Sequence, residues 1–351
     1  MAFFLISCTL FLSSCAETAV PQATAVSPAA PTEQFTTTIP ATNTPLPEPT
    51  ELPPTQTAVP PTAAPPPSPS PTPEIWQELA KMPTSRSEMS AGVIDGRIYV
   101  PGGWDNGYAQ TTVLEVYDPA SDTWSTAADL PYHVNHHATA VYNNALYVFG
   151  PEAASLRYDP TTDTWEELTP MPEDRWAGAA AVLDDYIYFL GGSSSNADLL
   201  RYDPATDSWT RLAPLLQPRE HTQAVALDGK LYALGGRWDR GLNSVERYDP
   251  ATDTWTRVPS MKHPRSGFGA AVWNGKIIVA GGELLSPLVI IDSLELYDPA
   301  KNRWELMPIS LPAPLHGLPI AVLNDTLYLL GGSGLAGDVY NRGRVFQLSL
   351  N

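Results

Sequence analysis

Residues 186–209 read YIYFLGGSSSNADLLRYDPATDSW, and the order of features in that stretch decides the fold. An apolar run, Tyr186 to Leu190, is closed by Gly191-Gly192. A second run ends in Tyr202-Asp203-Pro204, and Trp209 follows the tyrosine by seven positions. A run that is apolar almost throughout reads as a strand buried on both faces. Asp and Pro at the end of the second run start a tight turn, and the Pro removes a backbone donor where the ladder stops.

The same order recurs outward in both directions. Tyr-Asp-Pro stands at Tyr117, Tyr158, Tyr202, Tyr248 and Tyr297, each followed by Trp124, Trp165, Trp209, Trp255 or Trp304. Glycine pairs close the apolar runs at Gly102-Gly103, Gly191-Gly192, Gly235-Gly236, Gly281-Gly282 and Gly331-Gly332, with Gly150-Pro151 in the second unit. Counting Trp76, successive tryptophans are 48, 41, 44, 46 and 49 residues apart, and six units fill residues 76–351 at a mean of 46. A period of this size marks a repeat architecture.

Each unit reads as four strands, a to d. Strand a, such as Ala179 to Leu183, turns into strand b through Asp95-Gly96, Asn143-Asn144, Asp184-Asp185, Asp228-Gly229, Asn274-Gly275 or Asn324-Asp325. These residues tolerate the positive φ of two-residue hairpins. Strand c carries the Tyr and strand d the Trp. Trp76-Gln77-Glu78-Leu79 is a d strand with no unit before it, and Arg344 to Leu348 is a c strand with no d strand after it. Pairing the two closes a ring and leaves no open edge.

The glycine pair, the tyrosine and the tryptophan together resemble the kelch repeat over about 276 of 351 residues. The resemblance implies an all-β, six-bladed propeller spanning residues 75–351. It also implies that each Trp packs between neighbouring blades and that the glycines let strands crowd near the axis.

The rest of the chain reads differently. Met1 to Leu12 is an apolar run of secretory length, and Leu12-Ser13-Ser14-Cys15 resembles the lipobox of bacterial lipoproteins. Residues 1–15 are therefore expected to be a signal peptide, with Cys15 lipidated and the protein held on the outer face of a membrane by that anchor alone. Residues 16–74 are rich in Pro, Thr, Ala and Ser. Seventeen of the 37 prolines lie between Pro21 and Pro73, so this segment is expected to be an extended, disordered stalk.

Charge and cysteine content exclude some functions. The whole chain has a formal charge of −18, which argues against nucleic acid. The two cysteines, Cys8 and Cys15, both precede residue 16, so a thiolate metal site or Cys nucleophile is excluded from the propeller.

In an antiparallel blade the a–b and c–d turns share one face, and the b–c and d–a loops share the other. The first set is short and uniform. The second varies: Trp104 to Thr112 is long, Pro151 to Ser155 short, Leu284 to Asp292 apolar, and Ser333 to Gly343 glycine-rich. Function is expected on this varied face. One repeat position just before strand a holds Arg86, Val134, Arg175, Arg219, Arg265 and Leu315, and all six histidines lie close to it in the sequence. Four arginines at a channel mouth point either to a carboxylate-bearing ligand or to internal ion pairs with carboxylates such as Glu88 and Glu220. Trp104 and Trp238, each followed by Asp, are candidates for stacking on a sugar, with His136 and His221 beside them. No cofactor and no metal are expected. His136 and His137 are neighbours on a strand and point to opposite faces.

The leading expectation is a membrane-anchored module that binds protein or glycan through the b–c and d–a loops, or serves purely as an assembly scaffold. The alternative is a carbohydrate-active enzyme. The propeller is similar to those of galactose oxidase and of the sialic acid mutarotase (N-acetylneuraminate epimerase) family. The first of those chemistries uses a Cys crosslinked to a copper-binding Tyr, which residues 16–351 do not supply. The second needs only acid–base groups in a pocket.

Overall fold

In the computed structural model, residues 75–193, 197–338 and 342–350 are described. The leader, Cys15 and the Pro/Thr-rich segment lie outside them. The described residues form six four-stranded antiparallel sheets, each a blade of a propeller. Blade 1 is Gly92–Ile94, Arg97–Pro101, Leu114–Asp118 and Thr123–Ala127. Blade 3 is Gly178–Leu183, Tyr186–Gly191, Leu199–Asp203 and Ser208–Leu212, so residues 186–209 are its b and c strands and the start of its d strand. Blades 2, 4 and 5 begin at Ala138, Gln223 and Gly269 and follow the same order.

Blade 6 takes Ile320–Leu323, Thr326–Leu330 and Val345–Ser349 from the end of the chain and Trp76–Glu78 from before blade 1. Trp76 pairs with Leu348 and Glu78 with Phe346, and an Arg344–Glu78 ion pair at 2.9 Å flanks the seam. The ring closes as the repeat count predicts.

The hydrophobic core lies between blades. Six clusters of buried side chains occupy the six interfaces; the one between blades 3 and 4, for example, contains Leu190, Leu199, Leu215, Leu231 and Trp255. Both faces of every blade are therefore covered, which is why strand b is apolar on both sides.

A repeated clasp joins the blades. The indole Nε1 of Trp124, Trp165, Trp209, Trp255 and Trp304 donates to a carbonyl of the preceding blade's outgoing loop at 2.8–3.0 Å. In blades 1 to 4 the residue offering that carbonyl donates its own N–H to Asp122, Asp163, Asp207 or Asp253 of the c–d turn. That aspartate also accepts from the tyrosine hydroxyl five residues earlier, as Tyr158 to Asp163 at 2.7 Å. Each of these turn residues has positive φ, which Asp and Asn tolerate. Blade 5 uses Asn302 in the same place, with Tyr297 donating at 2.7 Å.

The clasp makes stability sensitive to acid. The Tyr158 hydroxyl and the Ala128 N–H hold the Asp163 carboxyl below its ordinary range. At Asp207 burial pushes upward, but Tyr202 and Thr169 outweigh it and the net direction is also down. A carboxyl depressed on folding contributes stability above the ordinary carboxylate range near about pH 4 and loses it as pH falls through the folded value. Asp163→Asn keeps an acceptor, as Asn302 does, but cannot titrate. Melting temperatures between pH 5 and pH 2.5 are expected to fall less steeply in this variant. An unchanged acid limb would show that the clasp does not contribute to it.

Candidate functional site

Three consecutive repeat positions build the face of the b–c and d–a loops. The first is the arginine column. The expectation that the arginines line an open mouth is corrected here, because Arg86, Arg175, Arg219 and Arg265 are all fully buried. Arg219 donates to the Gly235 carbonyl at 2.8 Å and to Glu246 at 2.7 Å, and Arg265 repeats this with Gly281 and Glu295. Arg86 holds Glu115 at 2.6 Å and the Gly102 carbonyl. Arg175 takes Asp198 at 2.8 Å instead. In Arg86, Arg219 and Arg265 the guanidinium fork thus ties the end of strand b to a strand c carboxylate of its own blade, while Arg175 pairs with Asp198 just before strand c. These are internal ion pairs, and their carboxylates are not Glu88 or Glu220.

The second position pairs with the residue after the glycine pair. Ser87 pairs with Trp104, Glu220 with Arg237, Ser266 with Glu283, and His316 with Ser333. In these four blades the b–c loop is therefore zipped to the d–a loop of the same blade. This requires the backbones to approach closely: a Cβ on Gly236 would lie 2.6 Å from the Glu220 carbonyl, and φ there is +91°.

The third position encircles the axis. It is occupied by Glu88, His136, Ala177, His221, Gly267 and Gly317, all with φ between 46° and 60°. Backbone bonds run from blade to blade around the mouth. His136 N donates to Glu88 O, Ala177 to His136, Gly267 to His221, Gly317 to Gly267, and Glu88 to Gly317, at 2.6–3.1 Å. Positive φ turns the three large side chains of this ring toward one another.

A polar cluster results. His136 Nε2 is 3.4 Å from Glu88 Oε2, and His316 Nε2 is 3.4 Å from Glu88 Oε1 and 3.5 Å from Glu283. Arg237 bonds Glu220 and Glu283 at 2.8 Å each and approaches His221 Nε2 at 3.0 Å. Trp104 Nε1 stands 3.4 Å from His136 Nδ1, and Trp176 meets both His136 and His221 edge to face. Burial lowers the His136 pKa to about 4, against the pull of Glu88. Burial raises the Glu220 carboxyl, but His221 and Arg237 outweigh it and bring it to about 2. A cavity of about 40 Å³ lies at this ring, and a second of about 220 Å³ continues down the axis between small residues such as Ala91, Ala179 and Ala270.

Of the residues singled out from sequence, His136, His221 and Trp104 meet here. Trp238 stays half-exposed on its loop. His137 is buried, lines both cavities and has its pKa lowered to about 3 by burial. Glu88, Glu283, Arg237 and Trp176 complete the cluster and were not singled out as a set. Glu88 lies two positions past the arginine column and Trp176 one past it, while Arg237 and Glu283 each follow a glycine pair.

Six blades, five of them with a clasp of Tyr, Trp and Asp or Asn, a buried arginine in four and zipped loops around a polar axis define a kelch-type propeller. Family models agree. The FKB95, Kelch-repeats domain matches residues 74–217, and the KLHDC2/KLHL20/DRC7 Kelch-repeats domain matches residues 153–282 and 193–332. The chain belongs to the kelch-repeat family. Spermatocyte protein spe-26 of Caenorhabditis elegans is 36% identical over 75 residues, 21% of this chain and 13% of that protein. Kelch-like protein 33 of Homo sapiens is 38% identical over 77 residues, 22% of this chain and 14% of that protein. The aligned segments thus span a small part of these relatives. Among solved structures, one titled "Structure of YjhT" superposes with a TM-score of 0.64 at 18% identity, covering 76% of this chain and 96% of that one. That likeness concerns the fold.

Proposed function

We propose that the protein is a binding module that takes a protein partner on the face formed by the b–c and d–a loops. The observation that carries this reading is where exposed apolar surface sits. Among the described residues eleven large apolar side chains are exposed, and all but Ile75 and Leu306 belong to loops of this face. Leu285, Leu288 and Val289 stand on the blade 5 hairpin formed by Glu283–Leu285 and Leu288–Ile290. Leu335 is exposed on the blade 6 loop, and Trp238 on the blade 4 loop. Apolar groups concentrated on one face mark an interaction surface. The lipobox-like Cys15 and the Pro/Thr-rich segment support presentation of this face outside the cell, on a lipid anchor.

The test is capture of partners from a cell-envelope extract by the purified protein, compared with Leu288→Asp and Trp238→Ala. A central contact is worth about 2 kcal/mol or more, so recovery of a bound protein should fall roughly 30-fold in Leu288→Asp. Equal recovery by wild type and both variants would remove this face as the binding surface.

A second reading rests on the axial cluster. Glu88 and His136 within 3.4 Å of each other supply acid–base groups for a carbohydrate-active enzyme of the sialic acid mutarotase type. Exchange between anomers of sialic acid followed by NMR tests it: acceleration lost in Glu88→Gln supports the reading, and a flat trace with wild type ends it.

A further inference from the structure

We propose that Glu88, His136 and His221 form a binding site for a single divalent cation of Zn2+ type on the propeller axis. One ligand-type atom from each of the three lies within 4.8 Å of the other two. Two imidazoles and one carboxylate are a donor set that Zn2+ takes, with positions left open for water or a bound group. The donors on a tetrahedral ion with bonds near 2.1 Å are about 3.4 Å apart. His136 Nε2 and Glu88 Oε2 already stand at that separation, 3.4 Å. Side-chain rotation closes the remainder.

The ring provides the room. Its other three members are Ala177, Gly267 and Gly317, so half of the six equivalent positions project almost nothing to the axis. Gly317 in particular is needed: a Cβ there would lie 2.5 Å from Glu88 Oε1 and displace the carboxylate. The backbone bonds that run around the ring hold the three donors at a fixed spacing before any ion arrives.

The surroundings suit a cation. Glu88, Glu220 and Glu283 face the cluster, Arg237 is the permanent cation paired with it among the described residues, and the ion-pair contacts of His136, His221 and His316 come from these same groups. Arg237 now touches His221 Nε2, but its bonds to Glu220 and Glu283 remain when that contact opens. A second-layer partner is in place at His136. Asn135 Oδ1 sits against His136 Nδ1, which leaves Nε2 to face Glu88, while Glu220 Oε1 lies 3.3 Å from His221 Nδ1 without a formed hydrogen bond. A carboxylate or amide behind an imidazole is how metal-binding histidines are oriented.

Two further observations point to a ligand. His137, 5% exposed, lines the cavity directly beneath the ring, and neither of its ring nitrogens makes a well-formed hydrogen bond. His316, 2% exposed, has its Nε2 on Glu88 and no hydrogen-bond partner for Nδ1. Buried imidazole nitrogens are ordinarily satisfied.

The experiment is a calorimetric titration of Zn2+, and a parallel titration of Co2+ read by its visible absorption, into the full chain without a histidine tag. One equivalent per chain is expected, with a Co2+ band characteristic of mixed nitrogen and oxygen ligation. His136→Asn, His221→Asn and Glu88→Gln should each weaken binding at least tenfold, and Asn135→Ala, acting through His136, about tenfold to a hundredfold. His263→Asn, a half-exposed histidine outside the ring, should leave affinity unchanged. Melting curves of the apo variants identify any that fail to fold, and Glu88→Gln and Asn135→Ala keep the test open in that event. Absence of stoichiometric binding by wild type, or unchanged affinity in folded His136→Asn and His221→Asn, would overturn the proposal. Partner capture by the loop face is read separately and stands or falls on its own.

Discussion

Arg219→Val is expected to destabilise the propeller by about 3–5 kcal/mol, because it leaves the Glu246 carboxylate buried without its cation. Both side chains are wholly inaccessible and 2.7 Å apart. The second Glu246 oxygen accepts the Leu216 N–H at 2.7 Å, so the carboxylate cannot swing outward without releasing the d–a loop. The chain itself contains the compensating change. Blade 2 has Val134 where blade 4 has Arg219, and Leu156 where blade 4 has Glu246; both lie in the apolar cluster between blades 1 and 2. Blade 6 has Leu315 and Phe346 at the same two places, again packed in one cluster. Arg219→Val combined with Glu246→Leu should therefore recover more than half of the loss, because replacing both partners by apolar groups removes the desolvation cost on both sides. Recovery stays incomplete, since the Leu216 N–H loses its acceptor and an unmet buried donor costs about 1–3 kcal/mol. Chemical denaturation of the four proteins of this cycle gives the answer. A single variant within 1 kcal/mol of wild type, or a double variant as unstable as the sum of the singles, would show that the pair does not act as a unit.

The same comparison explains what could be read from the sequence and what could not. The Tyr, Trp and Gly-Gly columns are invariant enough across six copies to give blade number, strand order and ring closure directly. The arginine column was equally visible, but its meaning depended on a partner 27 to 30 residues away in strand c. Glu115, Glu246 and Glu295 stand two residues before the tyrosine in the blades that carry arginine, while Leu156 and Phe346 fill that place where arginine is missing. Blade 3 breaks the pairing with Leu200 and uses Asp198. The axial site was harder to see for a conformational reason. Glu88, His136 and His221 point inward because their residues adopt positive φ, and nothing in a Glu or a His announces that conformation. The expected strand placement of His136 and His137 does not hold, because strand a of blade 2 begins only at Ala138 and His136 has a φ of 48°. The two imidazoles part because of that bend, and alternation along a strand says nothing of which one joins residues from other blades. Only the ring of backbone bonds does that.

Trp304→Ala is expected to cost about 3–5 kcal/mol, the range for deleting a large buried aromatic. For a domain of this size about 1 kcal/mol corresponds to roughly 2 °C, so the melting temperature should fall by about 6–10 °C. Trp304 is 2% exposed, packs on Tyr297 with ring centroids 5.3 Å apart, and donates to the Pro259 carbonyl at 2.9 Å. Trp304→Phe separates these contributions, since it keeps most of the apolar contact and loses the indole donor; a net hydrogen bond is worth about 1 kcal/mol. Trp165 provides the internal comparison. It makes the same bond, to the Ala128 carbonyl at 2.8 Å, but is only partly buried. If interblade adhesion comes mainly from burial, Trp165→Ala costs clearly less than Trp304→Ala, while the two Phe variants cost about the same. Equal losses in the two Ala variants would assign the adhesion to the hydrogen bond instead. The burial account has a physical basis in the ring. Each blade presents two apolar faces that, among the described residues, are covered by the neighbouring blades, so the six interblade clusters form the core of the described propeller. A tryptophan at the outer edge of each interface extends that core to the rim, and the clasp of Tyr and Asp or Asn holds the turn against which it packs. Loss of a single indole opens one interface at its rim, yet the two blades stay joined by the chain and the ring stays closed through the other five. Unfolding is then expected to remain one cooperative transition at lower temperature, and a separate early transition in Trp304→Ala would contradict that picture.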